Sequence, residues 1–179
     1  LCIENGQIDP SLYAKYDVKR GLRDISGKGV LAGLTEIADV KAYNMVDGKM
    51  IPCKGELYYR GYNVEDIVRG FSPDKNFGFE EITYLLMFGK LPNQKELDEF
   101  IETIGQYRTL PPSFVRDVIM KSPSKDIMNA LARGVLMLYS YDERPDDVSI
   151  ANVVRQCLQL VAQFPLLAVY SYQAYQHYH

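Results

Sequence analysis

The sequence lacks tryptophan and has only two histidines and three cysteines among 179 residues. The cysteines, Cys2, Cys53 and Cys157, form no C-x-x-C pair and cannot all be bridged, so we expect reduced thiols rather than a disulfide framework. The histidines, His177 and His179, have no carboxylate or thiol nearby in sequence, which leaves too few ligands for zinc. The composition therefore predicts neither a disulfide-rich protein nor a metal site.

An excess of positive charge is also missing. The net charge is −3 at pH 7, which provides no field to attract nucleic acid or anionic lipid, so we expect neither as a partner. The most apolar stretch, Leu158 to Tyr170, contains Gln159, Gln163 and Pro165 and is shorter than a bilayer-spanning helix. Because the first residues are partly acidic and have no apolar run, we expect no secretion signal or transit peptide, and a cytoplasmic location.

What the sequence does contain is enough apolar residues, 47%, for one domain with a proper core. Near the N-terminus, Asp9 and Pro10 are typical of a helix start and predict a short helix over residues 11–16. Asp47 and Gly48 then separate two β-forming runs, as in a tight hairpin whose central residues need positive φ. A second extended piece follows at Gly55 to Gly61.

The remaining segments read as helices. We predict helices over residues 79–88, ended by Gly89, and from Asn93 onward, with Leu97, Phe100, Ile101 and Ile104 on one face. A short helix is predicted at residues 113–121. The fold class is therefore mainly α, with a small β-hairpin near the N-terminus. The organisation is one unit over residues 1–179, in which residues 1–62 hold the hairpin and residues 63–179 a helical bundle.

The segment Asp126 to Tyr141 is apolar nearly all round. One face carries Ile127, Leu131, Val135 and Leu138, and an adjoining face carries Ala130, Gly134, Met137 and Tyr141, whose small members permit close backbone approach. A helix of this kind must be covered on more than one side. We therefore expect it to pack on its own core and against a second subunit in a homodimer.

Residues 148–164 predict a cleanly two-faced helix. Its polar arc lies opposite an apolar arc, so a single core is expected to cover it. The polar arc comprises Asn152, Arg155, Gln156, Gln159 and Gln163, and the apolar arc comprises Val153, Val154, Cys157, Leu158 and Val161. Pro165 is expected to interrupt this helix, with a last helix restarting after it.

Three stretches in order resemble the citrate synthase family. They are GVLAGLTEI at residues 29–37 leading to GELYYRGYNVED at 55–66, LLMFGKLPNQKELDEF at 85–100, and SPSKDIMNALARGVLMLYSYD at 122–142. The resemblance covers roughly residues 18–175. It implies the N-terminal portion of an enzyme that condenses acetyl-CoA with oxaloacetate to citrate, with acetyl-CoA as a substrate and no cofactor or metal.

In that family two histidines and an aspartate perform the chemistry, on motifs that lie downstream of the stretches seen here. We therefore expect no catalytic residue in this chain and no synthase activity from it alone. The resemblance also places the segment Ser26-Gly27-Lys28-Gly29 near the coenzyme A end of the cleft, where Arg23 or Lys28 would meet a phosphate. A nucleotide-hydrolysing P-loop does not fit, because five residues rather than four separate Gly21 from Gly27.

Two alternatives stay open at this point. The enzyme would be a 2-methylcitrate synthase if propionyl-CoA were its acyl donor. The chain would instead be a stand-alone helical interaction module if the apolar helix at Asp126 to Tyr141 were a docking element.

Overall fold

The computed structural model describes residues 9–16, 21–23, 26–30, 34–71 and 77–178. The chain divides into two compact units, residues 1–64 and residues 65–179. The first holds a short helix and a small antiparallel sheet, and the second is helical. The prediction of a mainly α fold with a small β element near the N-terminus is confirmed.

The first unit contains helix α1 (Ser11–Lys15) and a sheet of three strands in the order β1 (Ala38–Val46), β2 (Lys49–Tyr59) and β3 (Tyr62–Asn63). Asp47 and Gly48 have φ values of 49° and 74°, which confirms the predicted hairpin turn. The two extended pieces expected after this turn are in fact one continuous strand, β2. Its pairing with β1 is irregular between Lys41 and Tyr43, where a bulge absorbs the extra residues.

The β1–β2 ribbon carries many exposed apolar side chains. Every residue of β1 is exposed, and Val40 keeps 72% of its surface. Met45 pairs with Met50 across the ribbon, and both are 61% exposed. Within the described residues, β1 pairs only with β2, so its other edge carries no partner strand.

The second unit contains five α-helices and two short helical turns in the residues described. The helices are α2 (Val64–Phe71), α3 (Phe79–Phe88), α4 (Gln94–Tyr107), α5 (Ile127–Leu138) and α6 (Ile150–Tyr178). A π-helical turn spans Val115–Ile119, and a 3-10 turn, Tyr139–Tyr141, follows α5 directly. Two predicted boundaries are confirmed. Gly89 ends α3 with a φ of 79°, and Asn93 begins α4 in a reciprocal capping box with Glu96.

Helix α6 forms the spine of this unit. Its first half packs Leu158 and Ala162 against Phe100 and Ile104 of α4. Its second half carries Leu167 and Ala174 into a cluster with Phe114 and with α5. Phe114, Ile104 and Leu167 are essentially inaccessible to solvent, so these two clusters fix α4, α5 and the π-helical turn around α6.

One expectation about the helices is wrong. Helix α6 does not stop at Pro165 but runs through it. Proline has no N–H to donate to the Val161 carbonyl, but packing contacts on both sides of Pro165 hold the helix. The short helix predicted at residues 113–121 is present as the π-helical turn Val115–Ile119. Ser113 has a φ of 63°, which prevents a regular helix start there, while buried Phe114 anchors the turn to the core.

By length and composition alone, α6 is able to cross a membrane. It has 29 residues, and its most apolar window reaches a mean hydropathy of 1.3. The central helix of a helical domain has the same composition, and α6 supplies residues to both hydrophobic clusters.

Candidate functional site

The two residues predicted to meet a coenzyme A phosphate lie on one small exposed loop. Arg23 forms a single antiparallel bridge with Gly29, and its Nη1 donates to the Gly27 carbonyl at 2.8 Å. Gly27 has a φ of 84°, which lets the chain turn back between Arg23 and Lys28. Both residues therefore lie on one solvent-facing turn.

The histidine pair is described only in part. His177 lies in the last turn of α6, with its ring edge-on to Tyr178, and His179 lies outside the described residues. In the part of the chain that the structure covers, no group of three or more histidine, cysteine, aspartate or glutamate side chains comes together as a metal site would need.

The small face of α5 is used within the chain. A Cβ added at Gly134 would lie 3.3 Å from Leu167 Cδ2, so the Leu167 side chain of α6 covers Gly134. Met137 of the adjoining face is 42% exposed, and a second line of exposed apolar residues lies at i, i+4 and i+8 of α5: Met128 and Leu136, which are 74% and 73% exposed, with exposed Ala132 between them. The predicted pairing of this helix with a second subunit stays a prediction, and we call the line through Met128, Ala132 and Leu136 the Met128 stripe.

The polar arc of α6 folds onto the loop before it. Arg155 Nη2 binds both carboxylate oxygens of Asp142, at 2.7 and 2.8 Å, and Arg155 Nε donates to Asn152 Oδ1 at 2.9 Å. Gln156 Nε2 donates to Asp142 at 3.0 Å, and Arg155 Nη1 donates to Gln159 Oε1 at 3.1 Å. We call these five residues the Arg155 cluster.

Asp142 is the electrostatic centre of this cluster. Its side chain is only 12% exposed, and the hydrogen bonds from Arg155, from the Arg144 backbone N–H and from Gln156 lower its pKa to about 2. A carboxylate with so low a pKa stays ionised at neutral pH and is a poor general base. The cluster therefore ties the loop to α6.

Buried Asn152 also binds the loop that precedes α6. Its Nδ2 donates to the carbonyls of Arg144 and Asp147 at 2.9 and 2.7 Å, and the residue is 2% exposed. This arrangement overturns the expectation that the polar arc faces away from the core. Val153, predicted for the apolar arc, is instead 41% exposed. The composition of the polar arc does indicate this burial, because the arc holds amides and an arginine and lacks the lysines and glutamates typical of a solvated face.

A cavity of about 430 Å³ adjoins the Arg155 cluster, between α5, the loop that follows it and α6. One side of its lining is apolar, with Val135, Leu136, Leu138, Pro145 and Leu160. The other side is polar, with Tyr139, Asp142, Gln156, Gln159 and Gln163. Gln163 is 4% exposed, and its Nε2 donates to the Thr109 carbonyl at 2.7 Å. Its Oε1 is buried without a hydrogen-bond partner in the described part of the chain.

The class of protein follows from the similarity of this fold to solved structures. The chain superposes on citrate synthase from Pyrobaculum aerophilum with a TM-score of 0.65 and 28% identity, which covers 87% of this chain and 39% of that one. Citrate synthase from Thermotoga maritima gives a TM-score of 0.61 at 23% identity and shares the fold. The arrangement of helices is thus that of part of a citrate synthase.

The family is shown by the sequence itself. A family model described as "Citrate synthase, C-terminal domain" matches residues 22–179. A citrate synthase from Haloferax volcanii is 32% identical over 161 residues, or 87% of this chain, and a 2-methylcitrate synthase from Corynebacterium glutamicum is 29% identical over 150 residues, or 84%. This chain belongs to the citrate synthase family. It spans 37% and 34% of the lengths of those two relatives.

Proposed function

We propose that these residues form part of an enzyme that condenses acetyl-CoA with oxaloacetate to give citrate. The supporting observation is the match to the citrate synthase family from residue 22 to residue 179, together with relatives that carry the name citrate synthase in Haloferax volcanii and Saccharolobus solfataricus. The test is to express the protein from the natural reading frame that encodes these residues. Coenzyme A release that depends on oxaloacetate is expected, and its absence with any acyl-CoA would refute the proposal.

We also propose that the 179 residues alone do not catalyse this reaction. The family's chemistry needs acid and base groups on facing walls of a cleft. The two histidines of this chain are separated by one residue at positions 177 and 179, so they cannot occupy facing walls. When the purified chain is given acetyl-CoA and oxaloacetate, it is expected to release no more coenzyme A than a blank that lacks oxaloacetate. Turnover of both substrates by a sample free of contaminating synthase would contradict this.

A second acyl donor deserves the same assay, because two 2-methylcitrate synthases from Corynebacterium glutamicum match 84% of this chain. Under this alternative, propionyl-CoA is the preferred substrate. The ratio of kcat/KM for acetyl-CoA and propionyl-CoA distinguishes the two reactions.

The Arg23–Lys28 turn is our candidate for contact with coenzyme A. Both side chains are exposed cations on one turn, and an exposed ion pair contributes at most about 1 kcal/mol. Replacing both residues with alanine in the active protein is expected to raise KM for acetyl-CoA several-fold and leave kcat unchanged. An unchanged KM would remove these residues from the site.

We propose a homodimer that pairs through the Met128 stripe of α5. The stripe offers two apolar side chains that are each more than 70% exposed. A charge placed on this stripe would be buried in an apolar interface without a counter-charge, which is unfavourable. Leu136→Glu is therefore expected to convert a dimer to a monomer in light scattering, while Val148→Glu, at an 87% exposed position outside α5, is expected to leave the dimer intact. Equal masses for both variants would exclude this surface.

A further inference from the structure

We propose that strand β1 pairs with β1 of a second copy of this chain, in an antiparallel arrangement that sets the two Val40 residues opposite each other. This contact is made by the first unit and does not involve the Met128 stripe. It does not depend on the acyl-condensing reaction either, because it rests on the free edge of β1 and on the order of charges along the strand.

The edge of β1 is open to a further strand. Among the described residues β1 pairs only with β2, so the backbone groups along its other edge have no strand partner, and all nine of its residues are exposed. Strand β3 pairs only with Tyr58 and Tyr59 at the end of β2, so most of the sheet is a two-stranded ribbon. Such a ribbon is marginally stable in water, and another strand along its open edge stabilises it.

The charges of β1 are complementary to those of β1 itself. Asp39 and Lys41 lie on either side of Val40, so an antiparallel pairing about Val40 sets Asp39 of each copy opposite Lys41 of the other. Residues that lie directly opposite each other in a sheet project from the same face, with Cβ atoms about 4.5–5.5 Å apart. The pairing therefore forms two ion pairs, one on each side of the two-fold axis.

The side chains at the centre of this pairing are available for it. In the part of the chain that the structure describes, the Asp39 carboxylate forms no ion pair, and its neighbour across the ribbon is Tyr58. Lys41 Nζ lies 3.7 Å from Glu56 Oε2, and the Lys41 side chain is 46% exposed, which leaves room for a second carboxylate. Val40 is 72% exposed, so contact between the two Val40 side chains removes apolar surface from water.

The same charges disfavour other arrangements of the two strands. A parallel pairing in register would set Asp39 beside Asp39 and Lys41 beside Lys41, and like charges directly opposite each other destabilise a sheet. An antiparallel pairing centred on Ala42 would set Lys41 opposite Tyr43 and lose both ion pairs. The charge order thus selects both the antiparallel direction and the register about Val40.

A cysteine at position 40 tests the register. Val40→Cys is made in the 179-residue chain with its three native cysteines changed to serine and with Leu136→Glu, which removes the contact proposed for the Met128 stripe. Opposite Cα atoms lie about 4.5–5.5 Å apart, which suits a disulfide, so mild oxidation is expected to join two copies. In this register the two copies of residue 46 lie about 40 Å apart, so the matched control Val46→Cys, also exposed on β1, is expected to give about tenfold less crosslinked dimer.

Charge reversal in the Val40→Cys chain tests the ion pairs. Asp39→Lys leaves lysines at positions 39 and 41, and Lys41→Asp leaves aspartates at both. Each variant alone sets like charges opposite each other and is expected to give about tenfold less crosslinked dimer than its parent. An equimolar mixture of the two variants restores both ion pairs between unlike chains, so the mixture is expected to crosslink as well as the parent.

Three results would overturn the proposal. Equal crosslinking at positions 40 and 46 would mean that collision or aggregation forms the disulfide. Undiminished crosslinking of Asp39→Lys alone would show that the charges do not select the partner. A mixture of the charge variants that crosslinks no better than its components would show the same, provided that Lys41→Asp, which faces Glu56, retains the circular dichroism spectrum of its parent. If it does not, the two cysteine positions and Asp39→Lys still decide.

Discussion

Replacing Asp142 with asparagine tests the Arg155 cluster directly, because the change keeps the shape of the side chain and removes its charge. The pKa of Asp142 falls from 3.8 to about 2 in the folded protein. Each pKa unit corresponds to about 1.4 kcal/mol, so the ionised carboxylate stabilises the fold by about 2 kcal/mol at pH 7. Asp142→Asn should therefore lower the free energy of unfolding by about that amount.

The stabilisation by Asp142 should depend on pH in a defined direction. Because folding lowers the pKa, the stabilisation is complete above the ordinary carboxyl pKa near 4 and is lost as the pH falls through about 2. The difference between wild type and Asp142→Asn should therefore shrink to about half at pH 3. Urea unfolding followed by circular dichroism at both pH values measures it.

The control is Asp66→Asn, which removes an exposed carboxylate that pairs with Arg69 at 3.0 Å on α2. A pair of this kind contributes less than about 1 kcal/mol. The reasoning fails if Asp142→Asn costs no more than the control at pH 7, or if its cost is the same at pH 3 as at pH 7.

Two further predictions concern packing and capping. Gly134→Leu should lower the free energy of unfolding by about 1–3 kcal/mol, because its side chain would collide with Leu167, while Gly105→Leu on open α4 surface should cost much less in the same urea titration. Asn93→Ala should cost about 1 kcal/mol by removing the side-chain acceptor for the Glu96 N–H, and Asn93→Asp should restore most of it. Equal stabilities of Gly134→Leu and Gly105→Leu, or an alanine variant as stable as wild type, would contradict the respective interpretation.

Local signals were sufficient for much of the fold. Positive φ at Asp47 and Gly48, the αL end at Gly89 and the capping box at Asn93 are each encoded within a few residues, so the sequence predicts them correctly. The core face of α5 was also predictable, because buried Leu131 and Leu138 recur at helical spacing.

The errors concern choices that depend on distant partners. Pro165 normally ends a helix, but contacts from α4 on one side and from α5 on the other hold α6 through it. Gly134 permits a close approach, yet the sequence does not say that the approaching residue is Leu167 of the same chain. Asn152 is buried because backbone carbonyls of the preceding loop accept its N–H groups, and periodicity carries no information about that loop.

The open edge of β1 has a practical consequence for anyone preparing this protein. Among the described residues no strand pairs with this edge, and with exposed Val40 and Met45 on β1 it is a template to which neighbouring molecules can add strands as the sample is concentrated. Aggregation through this edge would raise the mass measured by light scattering in the same way as a specific dimer would. A lysine at position 40 is therefore the first solubility change to introduce before any crystallisation trial.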